Sequence, residues 1–391
     1  MGILTGITVI ELCEIFQGPL AGQSLADFGA RVIKVERPPV GDPLRAGDFY
    51  ATEHHLMSGY FAATNRNKES VCLDLKSEAA CQTLHSLLDR ADVLLHNYRP
   101  GVMERLGFGY EALAEKNPRL IYAAASGFGD TGPMAETAGQ DLLIQSISGI
   151  ASKGTAKTGE PNYLNVPLTD YASGMLMVQG VLLALLERAQ SGRGQKISIS
   201  LFDTAVSMQS LEAASLLNYD YETRWFDRSL NFAAKAADGW LTVLGFFRPN
   251  PLQLICQALG ISDLSAELGL PTDREQLARR AEISELLAPS FLKFTAADAV
   301  ARLQAAGLLC APVLTYDQTL RLPQVANNGM LKTLSVPGQA DMTVVDHPLR
   351  LSRTPHELRS APPKLGQHTR AVLADLGLSD EQIAQASGAP T

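Results

Sequence analysis

The chain has 391 residues, enough for two domains or for one large domain carrying a smaller insertion. Its 46% hydrophobic and 19% charged residues exclude a disordered or fibrous chain. With 33 Lys and Arg against 41 Asp and Glu, the net charge of −8 argues against a general nucleic-acid partner.

The first 130 residues alternate strand and helix. Ile7–Leu12 reads as a buried strand, Gly18–Phe28 as a helix with Pro19 near its start, and Arg31–Glu36 as the next strand. Strand Val71–Leu75, helix Ser77–Arg90 capped by Ser77, strand Asp92–His96 and strand Leu120–Ala125 follow. This alternation predicts an α/β fold, a parallel sheet with helices on both faces, whose ligands sit beyond the carboxyl ends of the strands.

Asp170 then opens a long apolar helix in which Met175, Leu176, Val178, Val181, Leu182, Leu183, Leu185 and Leu186 crowd together. Such density predicts a helix buried on most sides. The run around Met175–Leu186 contains Gln179 and reads as too short to span a bilayer, so no membrane partner is expected. Gln195–Ser200 alternates as a strand, and Asp203 begins a second apolar helix. Asn218–Ala237 has no clear period and reads as a connector. Asp238–Val243 opens a second unit, with helices from Leu252 to Gln304 and a strand at Leu308–Val313. Prolines 348, 355, 362 and 363 suggest an extended strap before a last helix near Thr369–Leu376. The expected layout is a discontinuous large Rossmann-like parallel-sheet domain, residues 1–217 with 335–391. Linkers and a smaller inserted α+β domain fill 218–334.

Five cysteines (Cys13, Cys72, Cys81, Cys256, Cys310) are scattered and form no Cys-x-x-Cys, as expected of reduced thiols in a cytoplasmic protein. The first residues lack the basic segment and long apolar stretch of a signal peptide. No ligand spacing points to a metal, so none is expected. Gly127–Gly132 imitates a phosphate loop, but Pro133-Met134 stands where Lys-Ser/Thr is required. Neither Gly-x-Gly-x-x-Gly after the first strand nor Gly-x-Ser-x-Gly is present, which disfavours dinucleotide and serine-hydrolase chemistry.

What remains is a set of cations after strands. Arg37 and Arg45 follow the second strand, and Lys76 the third. Asn97, Tyr98 and Arg99 follow the fourth, with Arg105 close behind. Each alone reads as a solvated charge. Together, beside helix-terminal amides at Phe16–Gly18, they suit a polyphosphate. Asp170 has two readings from helix grammar: an N-cap, or a carboxylate kept ionised by the helix end and free to act as a nucleophile.

The stretches GPLAGQSLADFGARVIKVERPPVGDPLR, YFAATNRNKESVCLDLK, ADVLLHNYRPGVMERLGFGYE, NPRLIYAAASGFG and TDYASGM…ALLER…SGRGQKISISLFD cover much of the chain. In them the sequence resembles the class III CoA-transferases, which include formyl-CoA and carnitine CoA-transferases and the 2-methylacyl-CoA racemases. The resemblance implies that Asp170 is the nucleophile of acyl-CoA:carboxylate CoA transfer. It also implies coenzyme A contacts at Ile15, Phe16, Gln17, Arg37, Leu73, Lys76, Asn97, Tyr98 and Arg105. It further implies an interlocked homodimer of ring-shaped chains, with the active site between domains and no metal or redox cofactor. The partners are an acyl-CoA and a small carboxylic acid, in one version dicarboxylic.

Racemase chemistry is the alternative. It needs two acid/base groups, and around AGQDLLIQSISG the racemases carry a histidine where this chain has Gln140, followed by Asp141. Glutamine exchanges no proton near neutral pH, which disfavours that branch. Gln140 and Asp141 either position the acyl group or simply start a helix. Where formyl-CoA transferase has a glycine-run loop, this chain reads Leu244-Gly245-Phe246-Phe247-Arg248-Pro249-Asn250. Arg248 is either the partner of a second substrate carboxylate or a solvated loop cation.

Overall fold

A computed structural model describes residues 2–153 and 159–388 of the chain. The chain divides into two compact units, Met1–Met208 with Gly329–Thr391 and Gln209–Asn328.

The first unit is built on a six-stranded sheet: β1 (Thr8–Leu12), β2 (Arg31–Glu36), β3 (Lys68–Cys72), β4 (Val93–His96), β5 (Ile121–Ser126) and β6 (Lys196–Ser200). The strand order is β3-β2-β1-β4-β5-β6, and every neighbouring pair is parallel. The order reverses between β1 and β4, which are both neighbours in the sheet and the source of diverging crossovers. A crevice at the carboxyl ends of those two strands is where this topology places a ligand.

Alternate residues feed two cores. Ile10, Ile33, Leu94 and Tyr122 pack beneath helix α2 (Glu78–Leu88) and the C-terminal helices Thr369–Asp375 and Asp380–Ser387. Val9, Val32, Val93 and Ala123 pack beneath α1 (Gln17–Asp27). Among the further helices of this unit are α3 (Asp141–Ile147), α4 (Leu168–Ser191) and α5 (Leu201–Met208). Strand β3 begins three residues before the predicted Val71–Leu75. Its Lys68 and Ser70 are polar yet buried, so they disguise the strand.

Helix α4 corrects two expectations. Only one stripe is buried against the sheet and α1: Thr169, Ser173, Gly174, Met177, Val181, Ala184 and Arg188. On its other flank Leu183 and Leu186 are 58% and 66% exposed, so within one chain the helix is not buried on most sides. At 24 residues it is also long and apolar enough, by length and composition, to cross a membrane, contrary to the sequence reading. Its buried stripe docks as a core helix does, and near its C-terminus Arg188 pairs with Asp92 at 2.9 Å. Gly174 permits the crossing with α1, since a Cβ there would lie 2.7 Å from the Gln17 carbonyl oxygen. Asp203 sits inside the first turn of α5 rather than at its start.

The second unit carries an antiparallel sheet of β7 (Asn231–Lys235), β8 (Trp240–Leu244) and β9 (Leu309–Val313), in that order. Helices Pro251–Leu259, Arg280–Phe291 and Ala296–Ala305 cover one face through Leu252, Ile255, Leu287, Phe291 and Leu303. Strand β7 lies within the stretch predicted as a connector. It pairs with β8 across a turn at Asp238-Gly239, the kind of dipeptide that closes a hairpin.

Candidate active site

The site begins at the mouth of α4. Asp170 is the third helical residue, two places inside the start at Leu168, and Pro167 at the cap makes no side-chain bond. The cap comes instead from α3. Asp141, 5% exposed, accepts from the Thr169 amide at 2.7 Å, the Thr169 hydroxyl at 2.7 Å and the Asp170 amide at 3.2 Å. Its other oxygen accepts from Gln145 Nε2 at 2.6 Å, and Gln145 exchanges bonds with the Leu164 backbone. Asp141 therefore orders the turn that carries Asp170, and both its oxygens are committed to protein. Gln140, the residue before α3, is exposed and makes no capping bond.

With Asp141 occupying the free amides, Asp170 is not a cap. Among the described residues its half-buried carboxylate makes no hydrogen bond or ion pair. Burial, and then the like charge of Asp141, pushes its pKa up to about 7. This reverses the expectation that the helix end holds it ionised, because Asp141 has already neutralised that end. Nor are the Thr169 and Asp170 amides free to stabilise an oxyanion.

The turn from β1 into α1 approaches the same helix. Gln17, nearly fully buried, donates from Nε2 to Ser173 Oγ at 2.8 Å, one turn along α4 from Asp170. Phe16 precedes α1 and is half-buried, and Ile15 is 51% exposed. Asn97, after β4, is spent on this turn: its Oδ1 accepts from the Glu14 amide at 3.0 Å and its Nδ2 donates to the Glu14 carbonyl at 2.8 Å. Its side-chain amide braces the loop.

At the carboxyl ends of β1, β2, β3 and β4 lies a cleft of about 290 Å³ in which Arg37, Leu73, Lys76 and Tyr98 meet, with Glu14, Glu36, Asp74 and Leu106 also in its wall. Arg37 and Lys76 are exposed there, and among the described residues neither has an ion-pair partner. Arg105, exposed, stands one residue before Leu106. Arg99 is exposed as well. Arg45, grouped with these cations by sequence, does not join them. Its guanidinium grips Glu36 at 2.6 and 2.7 Å, donates to the Pro363 carbonyl, and covers the Phe61 ring.

Sequence reasoning missed Thr169, Ser173 and Asp42 as members of this assembly. It also missed a buried quartet beneath it: Lys34 Nζ lies 3.0 Å from Glu11 and 2.9 Å from Asp42, and Lys68 Nζ lies 2.8 Å from Glu11. A signal existed. Glu11 and Lys34 interrupt apolar strands, and charges there are buried only when paired. In the second unit Arg248 donates from Nε to the Gly307 carbonyl at 2.8 Å and is otherwise exposed. Among the described residues no group of three or more His, Cys, Asp or Glu is placed to hold a metal.

A parallel sheet with this strand order, a cleft at its strand ends carrying the unpaired Arg37 and Lys76, and a carboxylate without a partner among the described residues suit an enzyme handling a phosphorylated carrier. The chain belongs to CoA-transferase family III, which it matches over residues 4–369. It is 34% identical over 399 residues to an acyl-CoA transferase of Fusarium pseudograminearum (strain CS3096), covering 98% of this chain and 87% of that one. It is 32% identical over 385 residues to the succinate–glutarate CoA-transferase of Agrobacterium fabrum (strain C58 / ATCC 33970), covering 95% of each. The crystal structure of a CAIB/BAIF family protein from Brucella suis superposes with a TM-score of 0.87 at 30% identity, over 96% of this chain and 99% of that one.

If Asp170 must be ionised to act, kcat/KM should rise with pH along a limb near pH 7, set by its raised pKa. Asp141→Asn removes the like charge and should move that limb to lower pH, which a pH–rate profile checks. A limb left in place would mean that another group controls it.

Proposed function

We propose that this chain moves CoA from an acyl-CoA donor to a free carboxylic acid through covalent intermediates on Asp170. The observation that carries the reading is the carboxylate itself: half-buried, without a partner, on a turn held rigid by Asp141. A carboxylate used only for structure is normally paired at this depth.

The steps follow from carboxylate chemistry. Asp170 attacks the donor thioester carbonyl; the C–S bond breaks, leaving a mixed anhydride and CoA thiolate. The thiolate attacks the aspartyl carbonyl of the anhydride, forming an aspartyl-CoA thioester as the donor acid leaves as its carboxylate. An acceptor carboxylate attacks that thioester, giving a second anhydride and thiolate. The thiolate then takes the acceptor acyl group, and Asp170 is regenerated. Every bond broken is an acyl bond, and the CoA thiolate released in the first and third steps is the nucleophile of the second and fourth.

In this reading the CoA thioester lies along the cleft at the strand ends. Arg37, Lys76 and Arg105 take its phosphates, Leu73 and Tyr98 line its bed, and Ile15, Phe16, Gln17 and Asn97 border it. The name of the Agrobacterium fabrum relative, which pairs succinate with glutarate, supports small dicarboxylic acids both as the free acid and as the acyl group carried on CoA. A cytoplasmic location belongs to the same proposal, supported by five cysteines of which none is disulfide-bonded.

We further propose that a second copy of this chain covers the bare flank of α4. Beside that flank runs an apolar groove of about 820 Å³ lined by Leu182, Leu185, Leu186, Leu349 and Leu351, of which Leu182, Leu186 and Leu349 are exposed and offer a partner apolar contact. Light scattering should give twice the 42.0 kDa chain mass; a particle of single-chain mass would remove this part of the proposal.

The chemistry is tested by incubating the protein with succinyl-CoA, trapping with hydroxylamine or borohydride, and mapping peptides by mass. Modification is expected at Asp170. Label on a cysteine or another carboxylate, or deuterium entering the acyl α-carbon without any acceptor acid, would overturn the reading.

A further inference from the structure

We propose that Asp42 is a positioning residue for the CoA thioester, fixing the turn between β1 and α1 and itself fixed by the buried ammonium of Lys34. The inference rests on the reading that this turn borders the CoA cleft.

Ile15 sits in that turn with φ +70°. A β-branched residue rarely occupies the left-handed region, and it persists there only where its surroundings over-determine it. Three grips do so. The Asn97 side chain holds both backbone groups of Glu14. Asp42 Oδ1 accepts from the Ile15 amide at 3.2 Å. Lys34 Nζ donates to the Cys13 carbonyl at 2.7 Å.

Asp42 also accepts from the Leu44 amide at 2.9 Å, as a cap of the short turn Pro43–Arg45 would. Capping alone does not account for its surroundings. The residue is 1% exposed, and its second oxygen lies 2.9 Å from Lys34 Nζ. Lys34 is shared with Glu11, and Glu11 with Lys68, so two carboxylates and two ammoniums balance in full burial. Gly22 makes room for them, since a Cβ there would lie 1.8 Å from Glu11 Oε2.

From this anchor the contacts run outward in both directions that matter. Glu14, next to the kink, lines the cleft holding Arg37 and Lys76. Gln17, two residues past it, bonds Ser173 on the helix that carries Asp170. Freed from Asp42, Ile15 relaxes to an ordinary φ, and the wall of the cleft moves with it. Binding of the CoA arm is weakened while Asp170 and its Asp141 support stay where they are.

The test uses Asp42→Ala and Lys34→Met in the full chain. Lys34→Met leaves the capping oxygen of Asp42 in place and removes its anchor, together with the Lys34 bonds to Glu11 and the Cys13 carbonyl, while Asp42→Ala leaves those two bonds intact. Both variants are expected to raise KM for the acyl-CoA, and Kd for CoA by calorimetry, about tenfold, with kcat within about threefold of wild type. Loss of folded protein lowers apparent kcat and leaves KM alone, so a merely structural role is distinguished. Lys34→Met with wild-type KM and Kd would overturn the proposal, because a simple cap needs no ammonium behind it. Failure of the underlying CoA-site reading appears separately, as a wild-type protein that binds no CoA.

Discussion

Asp170→Asn is expected to lose turnover by on the order of 10⁴-fold or more, the scale on which removing a covalent nucleophile acts. CoA binding should survive, because the cleft of Arg37, Lys76 and Tyr98 is built from other strands and loops. The variant should also remain folded. At pH 8 the wild-type carboxylate, its pKa pushed up to about 7, is ionised in a place that disfavours charge. Because its folded pKa lies above the unfolded value, Asp170 detracts from stability as pH rises from about 4 to 7. An uncharged amide escapes that cost, so Asp170→Asn should melt no lower than wild type at pH 8. Turnover within tenfold of wild type would end the covalent reading. Asp170→Ala with equal loss would show that the carboxylate, not the side-chain volume, is what matters.

Glu11→Gln is expected to lower stability by about 3–5 kcal/mol, the range for breaking a buried ion pair from one side. Glu11 is the shared partner of Lys34 and Lys68, all three side chains fully buried. The amide keeps the shape but leaves two ammoniums with one carboxylate, Asp42, among the four. For a unit of this size the thermal midpoint should fall on the order of 10 °C. A fall of less than about 1 kcal/mol in urea unfolding would mean that the quartet is far better solvated than its burial implies. Surface pairs such as Arg321–Asp317 and Arg370–Asp380 serve as controls, and their loss should cost at most about 1 kcal/mol.

The parallel sheet was legible because Ile7–Leu12, Arg31–Glu36 and Asp92–His96 are apolar runs broken by turns, and their alternation with helices leaves few topologies. Arg37 and Lys76 were legible as strand-end cations, since position after a strand is itself a sequence feature. What pairs with what was not. Arg45 has the same local context as Arg37, yet Glu36 and the Pro363 carbonyl claim it. Asp141 caps a helix that begins 27 residues later, a relation no local grammar contains. The extent of burial on α4 was misjudged for a related reason. Apolar density reports that a surface will be covered, not that the same chain covers it. Strand β7 is hard to read from sequence because one face offers only Phe232 and Ala234 and the buried residue of the other is the polar Asn231, too weak a pattern without its partner strand.

Helix α4 runs unbroken for about 36 Å, from the carboxylate at one end to the bare leucines toward the other. A rod of that stiffness has no joint at which a disturbance could be absorbed. Pressure on the leucine flank, from whatever neighbour rests there, reaches the aspartate as tilt instead of dying out along the way. With a second chain on the leucines and chemistry at Asp170, as proposed, quaternary contact and reaction geometry would share the same beam, so that neither could be loosened without retuning the other.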